Sequence, residues 1–170
     1  MILTRTNEPY AQTLMPFADD RGVFQLIEDG DHSMKLMAVG DKLTKVADIK
    51  RVYTVVNTQA GIIRGFHYHE KEWKLFAILN GSAKFVALDP NVANADSDPL
   101  AVYNSAKTFV SSTRVPKLIV VPPRWANGWI SLEPNTILLS LSSSTTKESI
   151  ADDKRFDPYK WGNLWKIKAR

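Results

Sequence analysis

The chain is 170 residues long, 44% hydrophobic and free of cysteine, and its formal net charge is +4. This length suits a single domain over residues 1–170. Without cysteine the chain can form no disulfide and no catalytic thiolate. The basic residues are scattered along the sequence, so we expect no nucleic-acid surface. No apolar run is long enough to cross a membrane and the first residues do not form a signal peptide, so we expect a cytoplasmic protein without a membrane span.

Short apolar segments divided by turn residues run along most of the chain. A polar loop is expected over residues 89–99 and a short helix beginning near Ser144. Many short strands with few helices predict an all-β, single-domain antiparallel β-barrel of the jelly-roll type, followed by a short helical or irregular C-terminal segment. The predicted strands are residues 23–28, 35–39, 51–56, 62–69, 73–79, 83–88, 107–111, 118–122, 128–132 and 136–142.

Residues 61–81 hold two of the three histidines, His67 and His69. Side chains alternate along a strand, so residues two apart project from one face. At the end of this stretch, Asn80-Gly81 predicts a tight hairpin between the segments 73–79 and 83–88. Two imidazoles are therefore expected on rigid sheet beside a hairpin.

The tail from residue 155 onward is rich in aromatic side chains. Such a segment is too apolar to stay in water, so we expect it to pack against the barrel or against a second subunit. A homodimer is the expected assembly.

The spacing of residues 61–81 resembles the first sequence motif of the cupin barrels, and residues 122–127 resemble the second. Metal-binding cupins use His, His and Glu from the first motif and His from the second. Here Lys74 stands in place of the Glu, and Asn127 in place of the last His. An ammonium repels a divalent cation and an amide is a poor substitute for imidazole. We therefore expect neither a metal nor another cofactor.

Four segments in order resemble the dTDP-4-dehydrorhamnose 3,5-epimerase family: residues 20–22, 61–68, Lys74 and 121–129. The resemblance implies a dTDP-linked 4-keto-6-deoxy sugar as substrate. It also implies that His67 removes a proton beside the ketone while the Lys74 ammonium stabilises the enolate. Arg21 and Arg64 would then hold the diphosphate, since guanidinium groups match phosphate oxygens.

A second resemblance points to a neighbouring activity. Residues 50–53, Lys-Arg-Val-Tyr, together with residues 64–69, are similar to motifs of the dTDP-sugar 3,4-ketoisomerases. Isomerisation through an enediol moves a proton on a single face, a task that His67 and His69 suit, with Tyr53 as a further proton donor.

Several positions depart from the epimerase pattern. The family tyrosine on the strand after residue 128 corresponds to Leu139 or a neighbour. The family aspartate that pairs with the histidine has three candidates here: Asp152, Asp153 and Asp157.

Two further residues complete the expected site. Asn127 replaces a family histidine, and Trp129 is an aromatic side chain that can stack a base or a sugar. Arg64 shares a face with His67 only if the strand bulges, and the intervening Gly65 permits a bulge. The sequence predicts 3- or 3,5-epimerisation, with 3,4-ketoisomerisation or a non-catalytic nucleotide-sugar-binding cupin as alternatives.

Overall fold

The computed structural model describes residues 8–14, 16–19, 22–25, 33–39, 42–93 and 98–167. Within these ranges the strands pair antiparallel throughout, and the helices are short. The all-β antiparallel prediction is confirmed. In chain order the elements are β1 (Tyr10–Thr13), β2 (Pro16–Asp19), β3 (Gly22–Gln25), β4 (Ser33–Val39), β5 (Lys42–Asp48), β6 (Arg51–Asn57), β7 (Ile63–Tyr68), β8 (Lys74–Asn80), β9 (Ser82–Leu88), α1 (Pro99–Ser105), β10 (Lys107–Ser112), β11 (Lys117–Val121), β12 (Ala126–Ser131), β13 (Thr136–Ser142), α2 (Thr146–Asp152) and β14 (Lys154–Arg155).

Two five-stranded sheets form the body of the protein. The first sheet has the order β1-β11-β8-β13-β6 and the second the order β10-β9-β12-β7-β14. Side chains from both sheets meet in one apolar core, with Phe76 and Ile78 from the first and Phe85 and Trp129 from the second. The described residues therefore form a jelly roll of two facing sheets, each with its own hydrogen-bonded ladder.

The link at Asn80-Gly81 is not the predicted hairpin. β8 lies between β11 and β13 in the first sheet, whereas β9 lies between β10 and β12 in the second. Gly81 adopts a φ of +76°, and a Cβ there would lie 2.6 Å from Thr136 Oγ1. Asn80 is still part of β8, and of the two residues Gly81 alone has a positive φ. The chain passes there from one sheet to the other because both edges of β8 are already paired.

The aromatic tail covers the outer face of the second sheet. Trp161, Leu164 and Trp165 are buried in one cluster with Phe66 of β7. The Lys84 ammonium donates hydrogen bonds to the carbonyls of Leu164 and Lys166, at 2.7 and 2.9 Å. Of the two predicted positions for the tail, the one against the barrel is confirmed.

Helix α2 is fixed at its start by local sequence. Thr145 accepts a hydrogen bond from the Glu148 amide, and the Glu148 carboxylate accepts one from the Thr145 amide, which completes a capping box. After α2 the chain returns as β14 beside β7, with Lys154 opposite Tyr68 and Arg155 opposite His67. This return brings the end of α2 to the histidine strand.

Among the described residues, no helix has the length and apolar character that crossing a membrane requires.

Candidate active site

A cavity of about 380 Å³ opens at one end of the two sheets. One wall is β6 and the start of β8, the opposite wall is β7 with β14, and side chains of α2 complete the lining. Ten side chains line it: Arg51, Tyr53, His67, His69, Lys74, Thr146, Ser149, Ile150, Asp153 and Arg155.

His67 is held by a carboxylate. Its Nδ1 lies 3.1 Å from Asp153 Oδ1, and Asp153 Oδ2 accepts a hydrogen bond from Arg155 Nε at 2.8 Å. An ionised carboxylate only accepts hydrogen bonds, so Nδ1 carries the proton and the neutral ring has its lone pair on Nε2. With the side chain one-third exposed, this lone pair is available to a ligand.

Of the three carboxylates predicted as partners, Asp153 is the one beside His67. It follows α2 directly, and the pairing of β14 with β7 fixes its position. Asp152 instead accepts hydrogen bonds from the amides of Glu70 and Lys71. Asp157 closes a turn by accepting from the Tyr159 amide.

The electrostatics of this pair favour a neutral imidazole. Burial lowers the pKa of His67 below its usual value, and the Lys74 ammonium lowers it further, while the hydrogen bond to Asp153 opposes both. For Asp153, burial acts to raise the pKa of the carboxyl, but the hydrogen bonds from Arg155 and His67 lower it and prevail. A neutral histidine beside an ionised aspartate is the arrangement of a general base.

His69 lies deeper than His67, and its side chain is only 3% exposed. Its Nε2 is 3.6 Å from Asp153 Oδ1, and its Nδ1 is 3.2 Å from Glu72 Oε2, a contact without hydrogen-bond geometry. Burial and the Lys74 ammonium lower the pKa of His69 to about 4, although both carboxylates act to raise it. His69 is therefore neutral at physiological pH.

The Glu72 carboxylate is the common partner of several polar groups beneath the cavity. Its side chain is fully buried, and Oε1 accepts a hydrogen bond from Arg51 Nη2 at 2.9 Å and another from the Ser142 hydroxyl. The Lys74 ammonium lies 3.8 Å from the same oxygen. Burial lowers the pKa of Lys74, and Glu72 opposes that shift. We call Arg51, His69, Glu72 and Lys74 the floor cluster, and His67, Asp153 and Arg155 the rim cluster.

Tyr53 lines the cavity from β6, in the sheet opposite to His67. The Arg51 guanidinium lies 5.0 Å from the centre of its ring. In the register of β6 with β13, Tyr53 is opposite Ser140. Leu139, which the sequence aligned with the family tyrosine, instead packs on the outer face of the first sheet. The tyrosine that lines the cavity, Tyr53, therefore lies on β6, next to the strand β13 where the resemblance placed the family tyrosine.

Strand β7 contains the bulge on which the placement of Arg64 depended. Asn127 is opposite His67 and Trp129 is opposite Arg64, so three steps of β7 face two steps of β12. Arg64 and His67 consequently share a face. Arg64 does not reach the cavity lining, because its Nε donates to Asn57 Oδ1 at 2.6 Å.

The structure places the last two expected site residues beside the cavity rather than on its wall. The Asn127 amide donates to the carbonyls of His67 and Trp125, so it supports the backbone at His67. Trp129 is buried and stacks near Phe85, with ring centroids 6.5 Å apart. Arg21 lies outside the described residues.

Sequence reasoning missed half of the cavity lining, namely Arg51, Thr146, Ser149, Ile150 and Arg155. It also missed Glu72, which does not line the cavity but is hydrogen-bonded to Arg51. Arg51 belongs to the Lys-Arg-Val-Tyr motif and was within reach of motif analysis. Nothing local distinguishes Glu72 from Glu70, or Arg155 from the other basic residues. These assignments depend on which strands are neighbours.

In the part of the chain that the structure describes, no group of three or more His, Cys, Asp or Glu side chains has an arrangement that would hold a metal ion. The metal-free site itself stays a prediction.

Fold and site together define a cupin-type jelly roll with an acid–base cavity at one end of its sheets. The chain belongs to the FdtA family, described as WxcM-like, C-terminal, whose model matches residues 19–161. No curated protein sequence matches it.

Solved structures of two activities share the fold. An rmlC epimerase from Mycobacterium tuberculosis is 17% identical with a TM-score of 0.67, covering 91% of this chain and 72% of its own. ChmJ, a 3'-monoepimerase from Streptomyces bikiniensis in complex with dTDP-quinovose, is 17% identical with a TM-score of 0.68, covering 93% and 74%. QdtA, a sugar 3,4-ketoisomerase from Thermoanaerobacterium thermosaccharolyticum in complex with TDP, is 22% identical with a TM-score of 0.60, covering 91% and 92%. The resemblance inferred from motifs is confirmed at the level of family and fold.

Proposed function

We propose that this chain is a dTDP-sugar isomerase that converts a dTDP-4-keto-6-deoxyhexose into the 3-keto isomer, with His67 as the base. The observation that carries the proposal is the grouping of a carboxylate-held imidazole, a second imidazole and an ammonium in one cavity. Proton abstraction beside a ketone requires a base and a positive charge for the developing oxyanion.

The reaction balances with these groups alone. The neutral His67 takes the proton from C3, and the electron pair forms an enediolate whose negative charge on O4 is stabilised by the Lys74 ammonium. The O3 proton passes to the neighbouring O4 within the enediolate, and the His67 imidazolium returns its proton to C4. The product has a ketone at C3 and a hydroxyl at C4.

One observation favours ketoisomerisation over the epimerisation that the sequence put first. Arg51 and Tyr53 of the ketoisomerase-like motif line the cavity, whereas the epimerase tyrosine position does not.

One observation keeps C3 epimerisation as a second candidate. Tyr53 is on the sheet opposite His67, so a phenol faces the base from the other wall. Epimerisation needs an acid on the face opposite the base, and a tyrosine there supplies it.

The test is incubation with dTDP-4-keto-6-deoxyglucose in deuterated water, followed by NMR of the sugar. A new C3 ketone with a hydrogen or deuteron at C4 supports ketoisomerisation. Inversion at C3 with the ketone still at C4 supports epimerisation, and exchange at both C3 and C5 supports the 3,5-epimerase. Binding of dTDP without any exchange would overturn the enzymatic proposal in favour of a binding protein.

A further inference from the structure

We propose that Glu72 is a positioning residue for this site, one that keeps the Lys74 ammonium charged and the buried basic groups of the floor cluster in place. The inference rests on the proposed function and deepens it. It assigns a role to a carboxylate that does not line the cavity and that no motif singles out.

The geometry around Glu72 is that of a shared anion. Arg51 Nη2 lies 2.9 Å and Lys74 Nζ 3.8 Å from Oε1. His69 Nδ1 lies 3.2 Å from Oε2. Three basic groups, from β6, from the residue after β7 and from β8, thus converge on one carboxylate with no solvent exposure. Hydrogen bonds from Arg51 and the Ser142 hydroxyl satisfy Oε1, whereas Oε2 has no hydrogen-bond partner among the described residues. A carboxylate this deeply buried therefore depends on the positive charge beside it.

The Lys74 ammonium needs this anion. Apart from Glu72 and Asp153, the ionisable groups near Lys74 are cations or neutral imidazoles, which do not stabilise its positive charge. A buried lysine without a counter-ion loses its proton readily. Asp153 contributes from the rim, but its carboxylate also serves His67 and Arg155. The titratable and charged groups that act on Lys74 or face it come from β6, β7, β14 and the loops beside them: Arg51, His67, His69, Glu72, Asp153 and Arg155.

The pH dependence follows from this arrangement. The enolate is stabilised by the protonated lysine, so activity falls as pH rises through the pKa of Lys74. Burial lowers that pKa and Glu72 is the strongest group that raises it. Loss of the Glu72 charge should therefore move the basic limb of the rate profile to lower pH.

The experiment compares Glu72→Gln with Glu70→Gln. Glu70 is two residues away, bonded to Tyr68 and Lys154 at the surface, and lies outside the cavity lining. The pKa of Lys74 is measured by NMR of ¹³C-labelled lysine without substrate, with the signal assigned by its loss in Lys74→Met. We expect the pKa of Lys74 to fall in Glu72→Gln and to stay at the wild-type value in Glu70→Gln. An unchanged pKa in Glu72→Gln would overturn the proposal.

A second variant allows the same measurement if Glu72→Gln does not fold. The double variant Arg51→Met/Glu72→Gln removes both charges of the buried pair. Glu72 acts on Lys74 more strongly than Arg51 does, so the pKa should still fall, by less than in the single variant. A pKa that is unchanged or raised in the double variant contradicts the proposal.

The rate profile links the titration to the reaction. The basic limb should shift to lower pH in Glu72→Gln and coincide with the wild type in Glu70→Gln, and a merely structural role would lower the rate without moving the limb. If the wild type gives no turnover, the proposed function fails, and the lysine titration alone decides whether Glu72 sets the charge of Lys74.

Discussion

The rim and floor clusters contain the same kinds of groups, namely a carboxylate, an imidazole and cationic side chains, yet they suit different tasks. At the rim, the Arg155 side chain is 75% exposed and its partner Asp153 is partly exposed. On the floor, the Glu72 carboxylate is fully buried between Arg51 and Lys74. Burial strengthens electrostatic interactions and makes an unpaired charge costly.

The difference shows in the two histidines. His67 has a carboxylate on Nδ1 and an accessible Nε2, whereas both nitrogens of His69 face carboxylates and the side chain is buried. The pKa of His69 is lowered to about 4 even so, because burial and Lys74 outweigh the carboxylates. Solvent access, more than the identity of the neighbours, separates a base that can exchange a proton with a ligand from an imidazole fixed in its neutral form.

The sharpest test of this comparison removes the rim base. His67→Asn keeps the approximate shape but no group that accepts a proton, so exchange of the sugar protons should slow by about 10²–10⁴-fold. The rate is followed by NMR in deuterated water, and calorimetry with dTDP should show unchanged binding. Exchange as fast as in the wild type would remove His67 from the reaction.

Removal of the floor ammonium should have the next largest effect. Lys74→Met keeps the apolar stem and deletes the charge, and loss of one group that stabilises an oxyanion lowers the rate by about 10²–10³-fold. Lys71→Met is the matched control, since that side chain is exposed three residues away. Equal rates in the two variants would mean that Lys74 does not face the enolate.

The carboxylate at the rim should matter less than the base that it holds. A hydrogen bond to a charged group contributes about 1.5–3 kcal/mol, so Asp153→Asn should lower the rate by roughly 10- to 100-fold. Asp153 acts to raise the pKa of His67. Without it the neutral form persists to lower pH, and the acidic limb of the profile shifts in that direction.

The control for this variant is Asp157→Asn, which changes a turn away from the cavity. It should leave both the rate and the acidic limb as in the wild type. An acidic limb that stays in place in Asp153→Asn would show that this carboxylate does not influence the titrating base.

The smallest effect is expected for the exposed rim cation. Because solvent screens it, Arg155→Ala should weaken dTDP binding by only about two- to fivefold, and less at high salt. Arg64→Ala is the comparison, since Arg64 bonds to Asn57 rather than lining the cavity. Isothermal titration calorimetry with dTDP measures the loss of affinity in each variant. A larger loss in Arg64→Ala than in Arg155→Ala would place the diphosphate beside Arg64, as the family resemblance implied.

Local sequence determined much of this protein. The two-residue spacing of His67 and His69 brought both to one cavity, Gly65 permitted the bulge, and the capping box of Thr145 and Glu148 set the start of α2. Asp98 as the N-cap and Pro99 in the first turn are equally local signals for α1, which begins at the end of the segment expected to be a loop. Such features depend on residues a few positions apart, so they are visible in the sequence.

The tertiary structure decided the rest of the candidate site. His67 and Asp153 are 86 positions apart and meet because β14 pairs with β7. The turn at Gly81 was visible in the sequence, but the strands available to β8 determined that it joins two sheets. Glu70 and Glu72 are the same residue type two positions apart, yet one lies at the surface and the other is buried. Burial and partner choice depend on which distant strands become neighbours, and no local pattern encodes that.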